Sequence, residues 1–256
     1  MADPPDPMHR FRWPELGEPY DTALRQTVAF VLGRTSPLGI IAAGSIVRGV
    51  PDPGSDLDIY VIHADPHRFR AQRWFSGVPA EVFVNPPASV RGYMAEERRS
   101  GRPCTAHMLA TGFVVLHCDP VIAELRAEAE ESLRAGPDVT EETLLYRRYL
   151  TADTLDNARD AATGDPACAN LILHTAVQDM LSCYFLIRGE FIPSAKRVLA
   201  TVREQAPHLA ALVEGFCSAA DTQARLALAD RIADATIGVR GFFEWESAPQ
   251  RVDPPS

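Results

Sequence analysis

The sequence lacks several features, and each absence excludes a class of protein. Lys196 is the only lysine among 25 basic residues, so a reaction that needs an ammonium group has only this side chain and the N-terminus. No apolar run reaches the ~18 residues of a membrane span, and the opening segment MADPPDPMHR has no apolar signal-peptide core. The formal charge of −9 argues against affinity for nucleic-acid backbone, which requires clustered basic residues. We therefore expect no membrane and no nucleic-acid partner.

Cysteine is also scarce. The five cysteines are scattered and none forms a CxxC pair, which argues against a zinc site and against a disulfide framework. They are Cys104, Cys118, Cys168, Cys183 and Cys217. We expect them to be small buried side chains in a reducing compartment, which predicts a cytoplasmic location.

The composition is otherwise that of an ordinary globular protein. The 256 residues are 46% apolar and 23% charged, and the length allows one large domain or two ordinary ones. Proline-rich ends predict a poorly ordered segment over residues 1–19 and a flexible tail over 247–256. Gly136-Pro137 is the strongest internal boundary.

The two sides of this boundary have different patterns. Short apolar runs bounded by turn residues predict a small mixed sheet with flanking helices over residues 20–136. Apolar residues at 3.6-residue spacing predict an antiparallel helical bundle over residues 137–246. The predicted fold class is therefore α+β.

Individual elements follow from the same patterns. The predicted strands of the first part cover residues 38–43, 57–62, 80–84 and 113–117. Its predicted helices cover residues 21–33, 66–75, 89–99 and 119–134, the first of them capped by Asp21. The first predicted bundle helix begins at Asp138, which forms a capping box with Glu141. The other bundle helices are predicted to begin near residue 167 and at Pro193, Pro207 and Asp221.

The segment that indicates a function begins with GSIVRG at residues 44–49 and ends with SDLDIYV at residues 55–61. A strand that ends in Gly44-Ser45 and turns into a helix leaves backbone N–H groups for phosphate oxygens, and glycine permits close approach. Asp56 and Asp58 are two residues apart on the next strand, so their side chains lie on one face and their Cα atoms are about 7 Å apart. Paired carboxylates repel each other unless a cation lies between them, and such oxygen ligands suit Mg²⁺. The pattern predicts metal-assisted phosphoryl or nucleotidyl transfer.

A third acid is expected on a neighbouring strand. Glu81 is the only charge in the apolar strand AEVFV at residues 80–84. It is a candidate metal ligand, a candidate general base on an attacking hydroxyl, or both. The competing interpretation is a charge at the edge of a strand.

These motifs resemble a known family. The run GSIVRGVPDPGSDLDIYV is similar to the signature of the DNA polymerase β-like nucleotidyltransferase superfamily. The strand AEVFV and the two-part layout resemble the aminoglycoside nucleotidyltransferases of the streptomycin/spectinomycin type, with a specific likeness over residues 38–85. The resemblance implies an antibiotic-resistance adenylyltransferase that moves AMP from ATP to a hydroxyl of a small cationic acceptor, with release of pyrophosphate. It would act as a monomer or homodimer.

The resemblance also implies roles for particular residues. Gly44 and Ser45 would hold the triphosphate. Asp56 and Asp58 would bind two Mg²⁺ ions, and Glu81 would be the third acid and the base.

Other candidate residues depend on weaker patterns. Arg48 would lie near the phosphates, or is an exposed arginine. Lys196 follows a Gly-to-Pro turn from which a basic residue of the family reaches the triphosphate, or it is a surface lysine. Glu142, Asp153 and Asp156 could line a cleft for a cationic acceptor, although each alone is a common surface charge.

Two alternatives stay open. A regulatory enzyme of the antitoxin type would transfer AMP to a protein side chain, but such proteins tend to be shorter and lack a fused bundle. A binding module that has lost catalysis is disfavoured by the intact motif.

Overall fold

The computed structural model describes residues 11–247, 249 and 251. The chain divides into two compact units between Pro137 and Asp138. The predicted poor order of residues 1–19 is wrong for residues 11–19, because Phe11, Trp13 and Leu16 pack against the core of the first unit. Residues 1–10 and most of the predicted tail lie outside the described residues.

The first unit contains a five-stranded mixed sheet and its helices. The strands are β1 (Pro37–Ala43), β2 (Leu57–His63), β3 (Phe69–Phe75), β4 (Val78–Asn85) and β5 (Phe113–His117). The helices are α1 (Tyr20–Leu32), α2 (Gly44–Val47), α3 (Pro87–Ser100), α4 (Cys104–Thr111) and α5 (Val121–Ala135). The strand order is β3-β4-β2-β1-β5, in which β2 and β4 are parallel and the other neighbours are antiparallel. The predicted mixed sheet is confirmed.

Both faces of the sheet are covered by apolar cores. On β2, Leu57 and Ile59 belong to the core that includes α1. Tyr60 and Ile62 belong to the opposite core, which α3, α4 and α5 complete. Because side chains alternate along a strand, Asp58 lies on the same face as Tyr60, at the end of β2 where the strand begins.

The predicted helix over residues 66–75 is wrong, because residues 69–75 form the edge strand β3. A two-residue turn, Ser76-Gly77, joins β3 to β4, and both turn residues have positive φ (47° and 79°). This conformation matches the twist of a hairpin, so it directs the two strands into antiparallel pairing. Most side chains of β3 are exposed, and the strand therefore lacks the apolar alternation that reveals buried strands.

Three local predictions also need correction. Asp21 does not cap α1, which begins one residue earlier, and it pairs with Arg25 within the helix. The helix α4 was not predicted at all. Of the five cysteines only Cys183 is buried, and the other four are exposed.

The second unit is helical, as predicted. Its described helices are α6 (Glu141–Ala162), α7 (Pro166–Ile187), α8 (Val198–Gln205), α9 (Pro207–Ser218) and α10 (Thr222–Thr236). Thr140, rather than Asp138, caps α6, and α8 begins at Val198 rather than at Pro193. The Asp221 carboxylate accepts from Ala224 N at the start of α10, as predicted. Across the described part of the chain, no helix has the length and apolarity to cross a membrane.

Candidate active site

The register of the sheet brings three predicted acids together. Asp58 on β2 is the direct partner of Glu81 on the parallel neighbour β4. Asp56 directly precedes β2, two residues before Asp58. One carboxylate oxygen from each residue lies within 4.8 Å of the others. Three converging carboxylates are a ligand set that fits a divalent cation.

Gly44 lies directly against this group. Ala43, the last residue of β1, is the register partner of Asp58, and the chain then turns at Gly44 with a φ of +91°. A Cβ atom at this position would lie 2.8 Å from Oδ2 of Asp58. Glycine is therefore required here both by the backbone conformation and by the closeness of the carboxylate.

Ser45 is tied to the loop that precedes β2. Its hydroxyl shares a hydrogen bond of 2.7 Å with the hydroxyl of Ser55. Ser55 is buried, and its Oγ also accepts from Asp52 N at 2.8 Å. The sequence interpretation missed Ser55, although its position directly before Asp-Leu-Asp was a signal.

The acids make the site strongly negative. The pKa of Asp58 is raised to about 6, first by burial and then by the charges of Asp56 and Glu81. Arg48 and Arg70 act in the opposite direction. The fold therefore concentrates negative charge that a bound cation would neutralise.

Glu81 has two partners that sequence reasoning missed, both on β3. Gln72 Nε2 donates to Oε1 of Glu81 at 2.6 Å, and Arg70 Nε donates to the same oxygen at 2.7 Å. Arg70 Nη2 also donates to this oxygen. They were missed because residues 66–75 were predicted to be a helix.

The remaining candidates are Arg48 and four residues of the second unit. Arg48 is exposed and follows α2, and its charge lowers the pKa of Asp58, which places it within electrostatic range. Lys196 is exposed in the turn before α8. The three acids of α6 lie in the same second unit: Glu142 is exposed, Asp153 accepts from Asn157, and Asp156 faces Arg159. The roles of all five residues stay predictions.

The comparison with protein families finds a match within the first unit. Residues 24–100 match the family model of the nucleotidyltransferase domain. This part of the chain is similar to a nucleotidyltransferase domain. The match extends from α1 to α3 and includes Gly44, Ser45 and all three acids. It supports a nucleotidyltransferase enzyme, and domains of this family typically use divalent metals.

Other comparisons are more distant. The chain is similar to a nucleotidyltransferase-like protein from Exiguobacterium sibiricum 255-15, with 14% identity and a TM-score of 0.49. The alignment covers 84% of this chain and 76% of that chain. No curated protein matches the chain.

Proposed function

We propose that the protein is a Mg²⁺-dependent adenylyltransferase that moves AMP from ATP to a hydroxyl of a small cationic acceptor such as an aminoglycoside. Pyrophosphate is the second product. The observation that carries this proposal is the acid group Asp56, Asp58 and Glu81 directly beside the Gly44 turn, within a nucleotidyltransferase domain.

The residues have distinct roles in this proposal. Asp56, Asp58 and Glu81 would hold Mg²⁺, which when bound neutralises phosphate charge and stabilises the leaving pyrophosphate. The Gly44-Ser45 turn binds the triphosphate, and its closeness to Asp58 brings the phosphates to the acids. The acceptor hydroxyl attacks the α-phosphorus, its proton passes to the carboxylate of Glu81, and the bond to pyrophosphate breaks.

The second unit supports a cationic acceptor. Spacings of 11 and 14 residues place Glu142, Asp153 and Asp156 on one face of α6. Tyr146 and Tyr149 lie on the same face, and Trp245 packs near them, with ring centroids 5.0 Å apart for Tyr149 and Trp245. Carboxylates beside aromatic rings suit an amine-bearing ligand, which gains from both charge pairing and cation–π contact.

A screen of aminoglycosides with ATP and Mg²⁺, read as pyrophosphate release, tests the proposal. Transfer should appear with one or more acceptors and should be lost in the double variant Asp56→Ala/Asp58→Ala. ATP labelled in its adenine moiety distinguishes a small-molecule acceptor from a protein acceptor. A labelled protein band without a labelled small molecule would indicate the protein-modifying alternative. Undiminished transfer by the double variant would refute the proposed site.

A further inference from the structure

The edge strand β3 directs two polar side chains at Glu81. Gln72 is the register partner of Glu81, and Arg70 lies two residues away, opposite Phe83. Because side chains alternate, Arg70, Gln72, Glu81 and Phe83 lie on one face of the sheet.

Three N–H groups reach a single oxygen of Glu81. Gln72 supplies one and Arg70 supplies two, and all of them donate to Oε1. Within the part of the chain that the structure describes, the hydrogen bonds to Glu81 all end on this oxygen. The other oxygen, Oε2, accepts none of these hydrogen bonds.

The guanidinium of Arg70 packs over the aromatic ring of Phe83. Its Cζ lies 4.6 Å from the ring centroid of Phe83, and Phe83 stacks on Tyr60 with a centroid separation of 5.8 Å and an interplanar angle of 17°. Tyr60 is fully buried on β2, two residues after Asp58. Arg70 therefore lies over a stack of two aromatic rings, although its own side chain is 61% exposed and that of Glu81 is only 14% exposed.

We propose that Arg70 and Gln72 are positioning residues that fix Oε1 of Glu81 and thereby present Oε2 to the divalent metal and to the acceptor hydroxyl. The inference depends on the proposed nucleotidyl transfer and adds two residues to its machinery. Neither residue contacts the reacting atoms in this proposal. Both act through Glu81, as outer partners of metal-binding carboxylates commonly do.

A simpler role for Arg70 is a counter-charge to the three acids. The two roles differ in their consequences for metal binding. A counter-charge weakens the attraction of the site for a cation, so its removal should tighten binding. A positioning residue orients a ligand, so its removal should weaken binding. Gln72 is uncharged and reports on orientation alone.

Mn²⁺ binding, followed by electron paramagnetic resonance of the free ion without nucleotide or acceptor, separates these roles. We expect Arg70→Ala, Arg70→Lys and Gln72→Met each to weaken Mn²⁺ binding, by about 10-fold for Arg70→Ala. Arg70→Lys keeps the charge but loses the planar two-donor geometry. The kcat of transfer should fall in parallel, with little change in KM for ATP.

Arg73→Ala is the matched control, because Arg73 lies on the opposite face of β3 over the ring of Phe30. It should leave Mn²⁺ binding and kcat unchanged. Thermal melting checks the fold of each variant, and the exposure of Arg70 and Gln72 makes unfolding unexpected.

Three outcomes would overturn the inference. Tighter Mn²⁺ binding in Arg70→Ala with normal binding in Arg70→Lys would assign a counter-charge role. Wild-type binding and kcat in all three variants would show a surface contact without function. A wild-type protein that neither binds Mn²⁺ nor transfers AMP would refute the proposed function as well, so the two failures are distinguishable.

Discussion

Gly44 has a positive φ and lies against the carboxylate of Asp58, so both the turn and the acid leave no room for a side chain. An alanine Cβ would lie 2.8 Å from Oδ2 of Asp58, so the carboxylate or the turn must move. We expect Gly44→Ala to reduce transfer by about 100-fold, since displacements of about 1 Å at a reacting centre have effects of this size. Pyrophosphate release at saturating ATP measures the effect.

Gly49 provides the control for backbone strain. It also has a positive φ, +76°, but no heavy atom lies within 4 Å of the position that a Cβ would occupy. Both alanine variants should lose about 1–2 kcal/mol of stability, the usual cost of this conformation. Only Gly44→Ala should lose most of its activity, and equal losses in the two variants would show that the clash with Asp58 is not the cause.

Because the pKa of Asp58 is raised to about 6, the ionised form of this residue should lower the free energy of unfolding at neutral pH. Its folded pKa lies above the ordinary value of 3.8, so the folded protein binds the proton of this carboxyl more tightly than the unfolded chain does. The stability that results from this proton is complete below about pH 4. The contribution is lost as the pH rises through about 6. In chelator at pH 7, Asp58→Asn should therefore be more stable than the wild type by about 1–2 kcal/mol, a value reduced for solvent screening.

Urea denaturation at several pH values tests this expectation. The advantage of Asp58→Asn should shrink as the pH falls and disappear well below pH 3.8, where the wild-type carboxyl is protonated in both the folded protein and the unfolded chain. Added Mg²⁺ should stabilise the wild type more than the variant, because metal binding favours the folded state that holds all three acids. A variant that is less stable than the wild type at pH 7 in chelator would contradict the electrostatic account.

At the scale of elements, the buried strands were predictable and the edge strand was not. In β2, Leu57 and Ile59 alternate with Asp58, and Asp56 directly precedes the strand, so the position of the two acids is evident from sequence. In β3 the exposed residues follow no apolar period, and only the turn at Ser76-Gly77 indicated a hairpin. This is why the acids were identified from sequence, whereas the partners of Glu81 were not.

The junction of α3 and α4 offers a test of how the elements beside the site are held. Glu97 of α3 accepts from Thr105 N at 2.7 Å and from Thr105 Oγ1 at 2.8 Å, at the start of α4. Burial raises the pKa of Glu97. We expect Glu97→Ala to cost about 1–3 kcal/mol, because it leaves buried donors without an acceptor.

Its neighbour Glu96 is the matched control. Glu96 pairs with Arg99 on the exposed surface of the same helix, so Glu96→Ala should cost less than about 0.5 kcal/mol. Urea denaturation of both variants gives the two values. Similar costs for Glu96→Ala and Glu97→Ala would show that the Thr105 contacts contribute little.

At the scale of the whole molecule, composition and periodicity predicted the α+β class, because local patterns differ between the two parts of the chain. They could not predict the strand order β3-β4-β2-β1-β5, which depends on pairing between distant segments. The parallel pairing of β2 with β4 places Glu81 beside Asp58, with the whole of β3 between them in sequence. A lone charge in an apolar strand made Glu81 a candidate, and the resemblance to a family gave it the role of third acid.

Lys196 is the residue through which the second unit is predicted to take part in nucleotide use. If it binds the triphosphate, Lys196→Ala should raise KM for Mg²⁺·ATP by about 10-fold, the equivalent of one charge-assisted hydrogen bond. Mn²⁺ binding without nucleotide should stay unchanged, because Lys196 is not one of the proposed metal ligands. Steady-state kinetics with ATP as the varied substrate measures the change.

Arg197→Ala is the control, since Arg197 is the adjacent exposed cation and its removal changes the net charge equally. A rise in KM for Lys196→Ala alone would identify a specific contact with the nucleotide. Equal rises in both variants would indicate a general effect of charge on ATP attraction, which added salt should suppress. An unchanged KM in both variants would confine nucleotide binding to other residues and leave the acidic face of α6, with Glu142 and Asp153, as the predicted contribution of the second unit to acceptor binding.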